Sequence, residues 1–337
     1  MSSALVLPAS LLLFIGLSLY SPSSLILSRA EAQLLLRMLD PLTIQLYNGY
    51  SPLYLVLMDA WLWGGEHALW LRLPGILCGV VSLVVAVRVL RGLAGAHAAP
   101  GALLLLATAP FLVAQARTIS PAMLALLMVL MSYALFLEYL RGGSLSVLGA
   151  WILVALLSLG VQAGLVFLIL VQCCAMLIYR ARYAQHQAAW WSAQFLVLGL
   201  FALGFWKPLS QFFSVRLLEV TPDQVGQALP IFALLSTNLP PLQAIAGTLL
   251  FIILVVSGLY LCADWRKDAR HGLLILGFLA PCPFYLFTPQ SEALLLGALP
   301  CLCVLASMGM RLYPRWVRQG LWAAIAASYV WSYWHLY

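Results

Sequence analysis

RLPGILCGVVSLVVAVRVLRGLAGAHAAPGALLLLATAPFLVAQARTISPAMLALLMVLMSYALFLEYLR, residues 72–141, is three apolar runs with basic residues at their ends. The runs cover 72–90, 100–116 and 120–139. Each is close to the ~20 residues that a helix needs to cross a bilayer. Arg88 and Arg91 close the first run, Arg117 the second and Arg141 the third. The link over 116–119 is tight, so the second and third runs form a helical hairpin.

The pattern continues on both sides. Further apolar runs occupy 5–27, 145–160, 162–179, 189–208, 241–262, 272–288, 292–311 and 319–336. The total is eleven, with a second tight connection expected at Gly160. Composition agrees: of 337 residues, 64% are hydrophobic and 8% charged, and mean hydropathy is +1.01. Soluble domains carry about 25% charge. A soluble globular protein, a disordered chain and a nucleic-acid binder are excluded. The fold class is all-α: a polytopic transmembrane bundle of about eleven spans, read as a single membrane domain over 1–337 with no soluble domain.

Charge sets the orientation. The loops carrying Arg88 and Arg91, Arg141, Arg180 and Arg182, Arg266 to Arg270, and Arg311 to Arg318 all fall on one side. That side holds eleven of the seventeen basic residues and three of the ten acids. By the positive-inside rule it is cytoplasmic. The N-terminus is then cytoplasmic and the C-terminus outside. The first apolar run lacks a basic n-region and reads as an uncleaved span rather than a signal peptide. Nearly every charge maps to a span end, which leaves no midplane coupling site of the kind a secondary transporter needs. The seven cysteines lie in apolar segments and read as free thiols. No His, Cys or carboxylate spacing suits a metal, so neither metal nor cofactor is expected.

Two outer loops stand out, 28–71 and 210–240, and long loops in compact folds tend to be functional. The first opens with SRAEAQLLLRMLDP, where Ser28 and Glu31 form a capping box and Pro41 ends the helix. Arg29, Gln33, Arg37 and Asp40 share one stripe, which makes an amphipathic helix at the membrane surface. Glu31 lies opposite that stripe. It is either a helix cap or a carboxylate aimed into a cavity against the bundle. A second juxtamembrane helix follows from Leu53 to Trp63, about 16 Å long and too short to span; it carries Asp59 and ends at Gly64-Gly65. In the second loop, Arg216 and Glu219 read as a surface pair.

SPLYLVLMDAWLWGGEHALWLRLPGIL (51–77), RVLRGLAG (88–95), APFLVAQARTISPAMLALL (109–127) and FTPQSEALLLGALPCLCVLAS (287–307), in that order, resemble the GT-C glycosyltransferases. Within them the chain resembles the protein O-mannosyltransferase and lipid A aminoarabinose transferase group. The resemblance implies a polytopic bundle that moves a sugar from a polyprenyl-phosphate carrier to an acceptor outside the membrane. It also implies a bacterial inner membrane. Aligned on Glu31, the sequence has Ala30 where the family has its catalytic Asp, and Gln290-Ser291-Glu292 where the family has Arg-Tyr.

The residues that remain suggest a site. Inverting transfer needs a base near the acceptor and cations near the departing phosphate. Glu31 is the first candidate base and Asp40 the second. Arg72, Arg117 and Lys207, all at outer span ends, are the candidate donor-phosphate ligands, since Arg can grip phosphate through two donors. Each Arg could instead anchor its helix at the interface or pair with Glu31, Asp59 or Glu66. The expected partners are membrane lipids and a polyprenyl-phosphate-sugar donor. The alternative is a catalytically degenerate GT-C-like protein serving as a structural or assembly subunit of a larger membrane complex, where other membrane proteins are its partners.

Overall fold

The computed structural model describes residues 3–19, 31, 52–65, 67–214, 241–264, 268–281 and 296–336. Among them are twelve α-helices and no strand: α1 (Ser3–Leu19), α2 (Pro52–Leu62), α3 (Ala68–Thr108), α4 (Pro110–Ala116), α5 (Ala122–Gly142), α6 (Leu145–Val161), α7 (Val166–Ile178), α8 (Ala184–Ser214), α9 (Pro241–Leu261), α10 (Ala269–Leu279), α11 (Leu299–Gly309) and α12 (Arg315–Leu336). The all-α reading holds. The 21 residues of α5 give about 31 Å of helix, enough to cross the ~30 Å hydrocarbon layer.

Residues 68–108 are two helices meeting at Gly95, where φ is +74°. Only glycine takes that conformation without cost, and the chain doubles back there, bringing Gly75 against Ala116. The predicted break between the runs at 72–90 and 100–116 is therefore this one residue. Ala109, preceding Pro110, is extended (φ −63°, ψ 118°), as the proline ring demands of its neighbour. The hairpin turn expected at 116–119 is present and runs to Pro121.

The turn expected at Gly160 sits two residues later. Gly160 lies in the last turn of α6, and Gln162 (φ −160°, ψ 117°) reverses the chain, followed by a 3-10 turn at Ala163–Leu165. A small residue in a membrane helix serves close packing as readily as it serves a turn, and Leu53 of α2 lies over Gly160.

The α3, α5 and α11 helices form the centre of the bundle, with α1 against α3, α6 against α5 and α9 against α11. Lipid offers no hydrophobic drive for helices to associate, so close contact and internal hydrogen bonds must hold them. Gly258 of α9 faces the Leu305 backbone and Gly309 of α11 the Leu254 backbone, so close that neither could carry a side chain unless a helix moved. On the other flank, Trp190 stacks obliquely on Phe136 and Trp151 at 4.8 and 4.5 Å. Buried Gln172 of α7 accepts from Trp151 Nε1 (2.9 Å) and donates to Ser132 Oγ (2.9 Å), which ties α5, α6 and α7 together.

The two ends of the bundle differ in charge. At one end Arg88 donates to Glu138 (2.9 Å) with Arg141 nearby. At this end too, Tyr139 reaches the His186 carbonyl and Asp268 caps α10. Arg88, Arg141 and Asp268 belong to loops assigned above to a common side. The opposite end holds Glu31, Arg72 and Arg117.

Candidate functional site

Arg72 occupies the second turn of α3, and two features fix that turn. Trp61 and Trp70 stack at 4.6 Å, and each indole N–H donates to the other residue's carbonyl, at 2.9 and 3.1 Å. Behind them, Tyr54 and Met58 of α2 pack with Leu71 and with Ile119 of the hairpin turn. The short helix after the first loop is thus a buttress for the start of α3. Its one acid, Asp59, is exposed, as expected of a solvated side chain.

Glu31 and Arg72 meet in a buried ion pair, with side chains 5% and 10% exposed. Arg72 Nε donates to Oε1 (3.2 Å) and Nη2 to Oε2 (3.0 Å). The backbone N–H of Ile119 also donates to Oε1, at 3.1 Å. One carboxylate therefore joins the first loop, the start of α3 and the turn between α4 and α5. Glu31 is turned inward against the bundle, and Arg72 has an acid as partner.

Arg117, half-buried at the end of α4, shares a cleft with Arg72. The cleft is shallow, with about 10 Å³ of accessible space, and is lined by Ser18, Leu19, Leu69, Arg72, Ile76 and Arg117. The last turn of α1 borders it, and a helix C-terminus favours cations. Two arginines beside apolar Leu19, Leu69 and Ile76 line the cleft, a combination suited to an amphiphilic anion, whose charged head pairs with guanidinium and whose hydrocarbon meets the apolar wall. Ser18 is 3% exposed, and its hydroxyl has no hydrogen-bond partner among the described residues.

The structure thus brings Glu31, Arg72 and Arg117 to one place. Asp40, and with it the amphipathic helix of the first loop apart from Glu31, lies outside the described residues. So do Arg216, Glu219 and the 290–292 segment. Lys207 lies in α8, with its side chain outside the described set. Neither the Ile119 amide, since any residue supplies a backbone donor, nor the Trp61–Trp70 clasp leaves a sign in the sequence. Among the described residues no group of His, Cys, Asp or Glu could hold a metal ion.

No family model matches the sequence, and no curated protein does. Solved structures do. ArnT from Cupriavidus metallidurans bound to undecaprenyl phosphate superposes with a TM-score of 0.63 at 16% identity, over 96% of this chain and 63% of that one. The oligosaccharyltransferase from Archaeoglobus fulgidus in the apo form gives 0.66 at 12% identity, over 98% of this chain and 55% of that one. The fold is that of the GT-C glycosyltransferases. A third match, AglB from A. fulgidus in complex with an inhibitory peptide and a dolichol-phosphate, gives 0.64 at 11% identity over 98% of this chain. The GT-C fold and the composition together make the chain a multi-pass membrane protein. It spans 55–63% of the length of these three structures.

Proposed function

We propose that the protein is a glycosyltransferase that takes its sugar from a polyprenyl-phosphate carrier and delivers it to an acceptor at the outer face of the membrane. The observation that carries this reading is the cleft where Arg72 and Arg117 stand together against an apolar wall. It occurs in a fold whose solved members hold undecaprenyl phosphate and dolichol phosphate. The polyprenyl chain would lie along the bundle with its phosphate at the mouth. As the sugar–phosphate bond breaks, charge grows on the leaving oxygen, and guanidinium groups aimed there lower the barrier. Lys207 is a third cation proposed for the same phosphate. Glu31 and Asp40 are the acids proposed to face the acceptor. The outer face is taken as the end opposite Arg88, Arg141 and Arg270, in a bacterial inner membrane with the N-terminus in the cytoplasm.

The test is reconstitution in nanodiscs with undecaprenyl-phosphate-linked sugars, following release of undecaprenyl phosphate. Activity that falls at least tenfold in Arg117→Ala supports the reading. No release, together with no binding of undecaprenyl phosphate, refutes it.

One observation favours a second reading. Both Glu31 oxygens are engaged by Arg72 and Ile119, and the neighbouring position is Ala30 rather than an acid. A GT-C scaffold without a free base would serve as a structural or assembly subunit of a membrane complex. Stable co-purification with other membrane proteins, without lipid binding, would support it.

A further inference from the structure

We infer that Glu31 is a positioning residue: it sets the orientation of Arg72 in the cleft and does not take the acceptor's proton. The inference rests on the lipid-phosphate reading of the same cleft.

The first argument is the occupancy of the carboxylate. A general base must offer a lone pair within about 2.6–3.2 Å of the proton it removes. Oε1 already accepts from Arg72 Nε and from the Ile119 amide, and Oε2 from Arg72 Nη2. The side chain is 5% exposed. Three of its four lone-pair sites are thus taken, and protonation would discharge the group that makes these charge-assisted bonds, the strongest kind it makes.

The second argument is what those bonds hold. A guanidinium is planar and rigid. Gripped along its Nε–Nη2 edge, it has no rotational freedom left, and its Nη1 side is directed away from Glu31. Arg72 is at the same time a wall of the cleft. The other wall cation, Arg117, is two residues from Ile119, in the turn whose amide Glu31 holds. One carboxylate thus holds Arg72 along one edge of its guanidinium and also holds the turn that follows Arg117 at the Ile119 amide. Orientation to within about 10–20° is what a bidentate anion site needs. The proton-accepting role then passes to another acid of the outer loops, for which the sequence offers Asp40.

The test uses the full-length protein in nanodiscs, undecaprenyl phosphate as probe and native mass spectrometry as readout. Glutamine at position 31 keeps one acceptor but sets an N–H against Arg72 Nη2. Glu31→Gln should weaken binding at least tenfold. In an Arg72→Lys background, where a point charge has no plane to orient, the same change should cost less than twofold. Equal binding by wild type and Glu31→Gln overturns the inference, as does an undiminished loss in the Arg72→Lys background. Where turnover is measurable, Glu31→Gln should raise KM and retain the acidic limb of the pH–rate profile. Loss of that limb with KM unchanged would make Glu31 the base and overturn the inference while sparing the transferase. A second arm needs no ligand: Glu31→Ala should speed amide exchange at Ile119 while the Trp151 region stays protected. If the wild type binds no undecaprenyl phosphate, the lipid reading fails and this arm decides alone. Unchanged exchange at Ile119 would refute the positioning role.

Discussion

Removing one partner of the Glu31–Arg72 pair should do more harm than removing both. Arg72→Met keeps the apolar stem and deletes the guanidinium, leaving a carboxylate 5% exposed with the Ile119 amide as its donor in the described structure. Breaking a buried pair from one side costs about 3–5 kcal/mol, because a charge is left without compensation. Glu31→Gln takes the carboxylate from a guanidinium 10% exposed, which breaks the same pair from the other side. In the double variant no charge is stranded. What is lost is the net worth of the hydrogen bonds, about 1 kcal/mol each. The double variant should therefore be more stable than either single one, with a coupling energy of at least about 2 kcal/mol, more than tenfold in the opening equilibrium. The structure supplies its own reporter. Cys301 and Cys303 are fully buried and are free thiols, so labelling by a thiol-reactive dye during heating in detergent reads bundle opening directly. Single variants that each cost less than about 1 kcal/mol, or effects that simply add, would show that the two side chains do not share a buried contact.

Gln172→Leu should destabilise the bundle by about 1 kcal/mol, since it removes two interhelical hydrogen bonds of the ~0.6 kcal/mol average found in membrane proteins; the same thiol assay measures it. Gly258→Val should be far more damaging than Gly199→Val, because a Cβ at 258 runs into the Leu305 backbone whereas nothing lies near Gly199; folded yield after detergent extraction checks the contrast. Asp268→Ala should cost about 1 kcal/mol as a lost N-cap. Burial pushes the Asp268 carboxyl up, but hydrogen bonds and charge from Arg270 outweigh it and hold it below its ordinary value. A depressed carboxylate contributes its stability above the unfolded pKa and loses it as pH falls through the folded one. The gap between wild type and Asp268→Asn should thus persist at neutral pH and close below about pH 4, and thermal unfolding across pH follows it.

The all-α class was legible because long apolar runs closing on arginines have the length and ends of bundle helices. The runs read at 120–139 and 145–160 became α5 and α6 within a few residues. Arg88, Glu138 and Arg141, assigned to one side from alternation, do gather at one end. The helix read from Leu53 to Trp63 became Pro52–Leu62. Misreading came where one residue type has two uses: a glycine at 160 suits a turn, but also a helix that another helix must approach. The site was legible as residue types and not as partners. Glu31 and Arg72 are separated by 41 positions and Glu31 and Ile119 by 88. Nothing local couples positions so far apart, and three acids competed for Arg72. Gln172 left a fainter trace. A lone amide in an apolar run must find partners inside the bundle, but periodicity does not say which.

Why the chain keeps this fold at 11–17% identity to its structural matches follows from its solvent. Lipid-facing positions need only be apolar, so most substitutions there are free. Constraint falls on close backbone contacts, such as those at Gly258 and Gly309, and on buried polar groups that must be satisfied. Two such groups tie three segments each, and comparing them separates scaffold from site. The Ser132–Gln172–Trp151 chain is neutral and buried; what it provides is cohesion between α5, α6 and α7. The Glu31–Arg72–Ile119 cluster is charged, and buried charge is a costly way to obtain cohesion, since an apolar replacement of equal volume is often as stable or more so. It also borders an open cleft that contains a second guanidinium. A bundle needing only to stand would be served as well by a second neutral chain. Charge at the cleft mouth, held in one orientation by a carboxylate, makes physical sense if an anion has to be received there.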